Sequence, residues 1–220
     1  MAKVFLSPSN QYDNVYAYGN TTEGVQCGKI ADACKIALER SGVDVMLMHD
    51  ESMQEKCAAS NAFDADLHVT IHTNAFNGKV MGTRMFCYNT GKGMAACKAI
   101  FSRVAPLSPG TSENIQVNQK LYEVRVPAAP TAYIECEFHD TVDGAKWLVE
   151  NTTSIGEAIA HGICDYFGVT FKEPEQPKPA AGTTIYRVQV GAYAKKENAE
   201  NMLAKLKKDG YSGFIVEGTL

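Results

Sequence analysis

Between Phe171 and Thr184 the chain reads Phe-Lys-Glu-Pro-Glu-Gln-Pro-Lys-Pro-Ala-Ala-Gly-Thr-Thr, with three of its eight prolines inside six residues. Proline has no backbone donor and a fixed φ, so neither a helix nor an interior strand passes through such a run. Nothing large and apolar follows Phe171, which predicts an extended, semi-rigid spacer. The chain is therefore expected to divide into a body over 1–170, a linker over 171–184 and a tail over 185–220. The two parts differ in sign. The body carries 13 Lys and Arg against 19 Asp and Glu, and the tail 6 against 4.

The body alternates short strand-like runs with helical ones. Lys3–Leu6, Val43–Met48, Leu67–His72, Thr83–Tyr88 and Ala132–Phe138 read as strands. A stretch capped at Asn20 and ending before Ser41-Gly42, and residues 51–62, 94–104 and 142–167, have helical character, the last as two segments ending at Gly168. Cys27, Ile30, Ala31, Cys34 and Leu38 mark one buried helical face, and Asn20 with Glu23 reads as a capping box. This order predicts an α/β, three-layer domain: a mostly parallel mixed sheet covered by helices on both faces. The tail repeats the alternation once. Tyr186–Tyr193 and Gly213–Val216 are strand-like around a helical 196–208, a small βαβ-type module too short to secure a core alone.

Several classes are excluded. A net charge of −4 gives no reason to expect nucleic-acid binding. No apolar run approaches the ~20 residues of a membrane span. After Met1-Ala2-Lys3 only Val4-Phe5-Leu6 is apolar, a short strand rather than an export signal, so the chain is expected to be made in the cytoplasm without a signal peptide. The seven cysteines are odd in number and lack a CxxC pair, which predicts small buried thiols.

In open α/β sheets ligands bind beyond the carboxyl ends of the strands. Ser7-Pro8-Ser9-Asn10-Gln11 follows the first strand, and Ile71-His72-Thr73-Asn74-Ala75 closes the third. Glu23 opens the first long helix, and the late strand holds Glu135, Glu137 and His139. A His and a Glu on neighbouring elements suit zinc, and a further carboxylate suits a general base. Glu135 is the candidate base, since a solvated charge has no reason to sit in an apolar strand. Period two places Glu137 on the same face as Glu135, a costly pair of buried acids unless partnered or metal-bound. Taken singly, Glu23 also reads as a helix-dipole partner and His72 as a structural histidine; His68, deeper in the same strand, reads as structural.

On these residues the body resembles the zinc-dependent N-acetylmuramoyl-L-alanine amidases of the amidase-3 type, especially those of phage endolysins and Gram-positive bacteria. The resemblance runs over about residues 3–168. It rests on Val4–Gln11, Gly19–Glu23, Ala65–Ala75 with its strand-ending Ile-His-x-Asn-Ala, and Ala132–His139. It implies hydrolysis of the amide between N-acetylmuramic acid and L-alanine in peptidoglycan. It implies Zn2+ on Glu23 and His72, with Glu135 catalytic and Asn74 either a substrate contact or a turn residue. The family's first ligand is a His, and here Asn10 occupies that position. Asn10, Gln11 or His139 is left as the third ligand. That departure keeps open a non-catalytic peptidoglycan-binding protein with a degenerate amidase fold, and the chemistry also allows a zinc peptidase acting on the stem peptide. The tail, through Val188–Tyr193, Ala199, Leu203, Leu206 and Gly210, resembles the first half of a SPOR peptidoglycan-binding module. Pairing with a second copy, docking on the body, or a packing appendage are the readings left for it. Action at the cell wall after holin-type release is the implied location.

Overall fold

The computed structural model describes residues 1–111, 114–174, 188–208, 211 and 213–218. It separates into two compact units, Met1–Pro174 and Glu175–Leu220. The expected linker lies outside the described residues from 175 onward, as do Tyr186 and Arg187 of the expected tail strand.

The first unit is built on six strands: β1 (Lys3–Pro8), β2 (Asp44–Leu47), β3 (Leu67–Asn74), β4 (Arg84–Cys87), β5 (Asn114–Val117) and β6 (Thr131–Phe138). They form one sheet in the order β2-β1-β3-β6-β4-β5. Strands β2, β1, β3 and β6 run parallel, and β4 turns antiparallel against β6 and pairs in parallel with β5. The mostly parallel mixed sheet is therefore as expected. β5 and the four-residue helix α4 (Tyr122–Arg125) lie where the sequence has no clear period.

Helices α1 (Glu23–Arg40), α3 (Lys92–Val104), α5 (Val142–Glu150) and α6 (Thr152–Phe167) bury one face of the sheet. Their apolar stripes meet Val4, Leu6, Val69, Ile71, Ile134 and Cys136 in one continuous core. Cys27 and Cys34 are fully buried there, and all seven cysteines are free and buried. Among the described residues, the opposite face, with Phe5, Ser7, His68, His72, Tyr133 and Glu135, lies on the side of two short helices, α4 and α2 (Met53–Ala62). Ser52 starts α2 with a complete capping box. Helix α6 stops at Gly168, whose φ of 66° is the left-handed conformation glycine tolerates.

Two glycines of α6 permit the close helix contacts of the core. A Cβ on Gly156 would stand 2.5 Å from the Ile30 carbonyl oxygen, and one on Gly162 would stand 2.4 Å from the Ile100 Cα. Both neighbours are backbone, which cannot swing aside.

In the second unit, α7 (Lys196–Lys208) forms as its periodicity predicts. Residues 188–193 and 213–218 are not in strands among the described residues. Two short strands without a third partner are marginal in water. No described helix is long and apolar enough to cross a membrane.

Gly156→Ala and Gly162→Ala should each destabilise the first unit by about 1–3 kcal/mol through overpacking. Urea unfolding of the full chain measures this. Unchanged midpoints for both variants would mean that the helices do not approach this closely.

Candidate active site

β3 and β6 lie side by side, and their parallel register sets His72 directly opposite Glu135. Paired residues of adjacent strands share a face, so both side chains rise from the sparsely covered side. Immediately afterwards β6 bulges: Asn74 pairs with Phe138, so three steps along β6 match two along β3. The bulge breaks the period-two expectation for Glu137. Its carboxylate instead accepts hydrogen bonds from the Gly82 N–H (2.6 Å), the Phe138 N–H (2.7 Å) and the Ser108 hydroxyl (2.5 Å). Glu137 thus ties two loops to the strand, and the expected Glu135–Glu137 pair does not form.

Glu23 reaches the site from the first turn of α1. The helix cap is Thr22 rather than the expected Asn20, which has a left-handed φ of 45°, and Thr22 makes no side-chain cap hydrogen bond. The Glu23 carboxylate is therefore not used in capping. Its Oε1 lies 2.8 Å from His72 Nδ1, and its Oε2 accepts from the Asn14 amide at 2.7 Å. Asn14 also donates to Gln11 Oε1 at 2.9 Å, and Gln11 Nε2 lies 3.4 Å from His72 Nδ1. Burial alone would raise the Glu23 carboxyl, but its hydrogen bond to His72 and the imidazole's charge outweigh this and lower it. Burial alone would lower His72, but its bond to Glu23 and the nearby Glu135 and Glu23 charges raise it.

Glu135 is placed differently. Its Oε2 is buried and has no hydrogen-bond partner among the described residues. Burial pushes its carboxyl up to about 7, with His72 opposing and Glu23 reinforcing the shift. Tyr133, two residues earlier on the same face, stacks on the His72 ring at 4.8 Å and fixes its plane. Burial holds the Tyr133 phenol well above its ordinary value, so it stays neutral.

The remaining candidates separate. The Asn10 amide donates to the backbone carbonyls of Asp50 (3.3 Å) and Glu51 (3.1 Å). Gln11, not Asn10, is the residue of that turn beside His72. His139 is buried against Tyr16, stacked at 4.9 Å, and its Nδ1 lies 2.9 Å from the Thr73 hydroxyl. Asn74 Oδ1 accepts from its neighbour Ala75 N–H at 2.9 Å, which is the geometry of a turn residue. His68 is fully buried and stacked on Phe5 at 5.2 Å, the structural role expected of it.

Beneath the site lies a polar layer that sequence reasoning missed. Glu123 of α4 accepts from Ser7 and approaches His68 Nε2 at 3.4 Å. The buried Lys56 ammonium of α2 donates to the Pro8 carbonyl at 2.7 Å, just before the turn that carries Gln11. A charged residue at the buried Glu123 and Lys56 positions is a detectable oddity only once the helix faces are known.

An imidazole nitrogen and a carboxylate in contact are two donors of the kind zinc takes. Among the described residues no group of three or more His, Cys, Asp or Glu side chains is placed to hold a metal. A cation bound here thus has two strong ligands, with Gln11 as the adjacent amide. An unpaired buried carboxylate beside such a pair is suited to take a proton from water and pass it on.

Comparison with known proteins agrees with this chemistry. A family model described as N-acetylmuramoyl-L-alanine amidase matches residues 11–165, and a SPOR domain model matches 168–217. The sporulation-specific N-acetylmuramoyl-L-alanine amidase of Bacillus subtilis (strain 168) is 24% identical over 98% of this chain and 85% of its own length. The N-acetylmuramoyl-L-alanine amidase CwlM of Bacillus licheniformis is 23% identical, with the same coverage. Among solved structures, the catalytic domain of CwlV, an N-acetylmuramoyl-L-alanine amidase from Bacillus (Paenibacillus) polymyxa var. colistinus, superposes with a TM-score of 0.70. It is 16% identical, covering 77% of this chain and all of that one, and so attests the fold.

The raised Glu135 carboxyl carries a stability consequence. The folded protein binds that proton more tightly than the unfolded chain, so stability falls as pH rises from about 4.5 toward 7. With metal removed by chelation, Glu135→Gln should gain on the parent by about 2–3 kcal/mol between pH 5 and pH 8. Urea unfolding at both pH values tests this. An equal difference at the two pH values contradicts it.

Proposed function

The chain belongs to the N-acetylmuramoyl-L-alanine amidase family, and on that footing we propose how its residues divide the work. The reaction is hydrolysis of the amide between N-acetylmuramic acid and L-alanine in peptidoglycan, the polymer of the cell wall. Glu135 is the general base. It accepts a proton from the attacking water and returns it to the leaving L-alanine nitrogen. Its unpartnered, buried Oε2 beside the His72–Glu23 pair is the observation that carries this reading.

Glu23 and His72 are the residues that would hold zinc, with the Gln11 amide turned to offer its oxygen as the third, weaker donor. We favour Gln11 over Asn10 because its amide group lies beside the His72 ring, whereas the Asn10 amide is tethered to the 50–51 backbone; the oxygen of Gln11 would exchange its bond from Asn14 for the metal. Zinc bound there supplies polarisation of the scissile carbonyl and acidification of the water. Tyr133 keeps the His72 ring in plane, and Asn14 keeps Glu23 turned toward it. The Asn74 side-chain oxygen is engaged by Ala75, which leaves its N–H groups to bond the substrate carbonyl.

For the second unit we propose peptidoglycan binding, supported by the SPOR match over 168–217. The body and tail then divide near the proline-rich segment into a catalytic and a wall-binding part. The substrate polymer, rather than a second copy of the chain, is the partner assigned to the tail.

Assays on a soluble muropeptide, following the new amino terminus of L-alanine, test the reading. Glu135→Gln should lower kcat by about 10²- to 10⁴-fold and leave zinc content intact. His72→Ala should lose both zinc and activity. Gln11→Ala should weaken zinc affinity more than Asn10→Ala does. Full activity in Glu135→Gln, or products in which muramic acid keeps its L-alanine, contradicts the assignment.

A further inference from the structure

The site does not end at Glu135. β4 lies on the far side of β6, antiparallel, and its register sets Arg84 directly opposite Glu135. β5 then sets Asn114 opposite Arg84. Across four adjacent strands the same row reads His72, Glu135, Arg84, Asn114, all on the face that the long helices leave open.

Three adjacent positions of the row carry unused polar atoms. Glu135 Oε2, Arg84 Nε and Asn114 Oδ1 are each buried without a hydrogen-bond partner among the described residues. The Arg84 guanidinium is held over the Phe138 ring, 5.5 Å from its centroid, and the bulge has brought Phe138 onto this face. The stacking fixes the plane of the guanidinium and leaves its edge donors for another group. A cation with a desolvated N–H and no acceptor is costly, and an anion arriving with a ligand relieves that cost.

The order along the row gives direction. Glu135 hands its proton to the leaving nitrogen, so that nitrogen lies on the Glu135 side of the His72–Glu23 pair. The peptide that departs with it continues toward β4. One strand step is about 4.8 Å, which puts Arg84 one to two residues along the peptide from the scissile amide. Resting on the reading of Glu135 as base, we infer that Arg84, supported by Asn114, is a specificity-determining residue that binds a free carboxylate on the stem peptide, at the residue after L-alanine.

Two soluble muropeptides test this, identical except that the residue after L-alanine carries a free carboxylate in one and a carboxamide in the other. The parent enzyme should favour the carboxylate form in kcat/KM by about 10- to 100-fold, the range for a hydrogen bond to a charged group. Arg84→Gln should collapse that ratio toward one. Arg84→Lys, which keeps the charge and loses the planar fork, should retain an intermediate ratio and serves as the decisive variant if Arg84→Gln does not fold. A parent ratio near one, or an equal loss on both substrates in both variants, overturns the proposal. Glu135→Gln run alongside separates the two readings: its retention of hydrolysis defeats the base assignment, whereas the Arg84 ratio reports on the peptide carboxylate alone.

Discussion

The pairing of β3 with β6 is the constraint on which the site depends. These strands are distant in sequence, and only their parallel register sets a histidine and a glutamate of one face opposite each other. Everything else is arranged around that pair. Glu23 arrives from the start of α1 because nothing at the cap holds it back, and Tyr133 flattens His72 from one side. The core beneath α1, α3, α5 and α6 supplies the rigidity, and the opposite face is where polar groups accumulate.

That face is expensive to fold. It carries Glu123, His68, Lys56, Glu135 and Arg84, and buried charges are tolerated only where partners or ligands answer them. The structure treats them in two ways. Glu123 with Ser7 and His68, and Lys56 with the Pro8 carbonyl, are answered internally and brace the turn that carries Gln11. Glu135, Arg84 and Asn114 keep atoms unanswered.

Much of this was legible in the chain. The strand-and-helix alternation gave the mixed sheet, and acids inside an apolar strand marked Glu135. His72 taken singly read as a structural histidine, and only the family resemblance marked it as a ligand. Other parts were not legible, for identifiable reasons. Asn10 and Gln11 are neighbours, and which one faces His72 is decided by hydrogen bonds to a backbone forty residues away. Glu137 shares the period of Glu135 until a bulge, which has no signature in the sequence, sends it to Gly82 and Ser108. Asn20 and Glu23 have capping-box spacing, yet the left-handed Asn20 moves the cap to Thr22. Arg84 becomes part of the row only through an antiparallel register that sequence order does not reveal, and β5 is too short and mixed to announce itself.

The central claim is that Glu23 and His72 are the metal-binding pair of this face. X-ray absorption at the zinc edge, on the zinc-loaded full chain, reads that directly. The account predicts a first shell of nitrogen and oxygen at about 2.0–2.2 Å, with imidazole scattering that disappears in His72→Ala. A sulfur shell near 2.3 Å, or imidazole scattering that survives the His72 substitution, would contradict it.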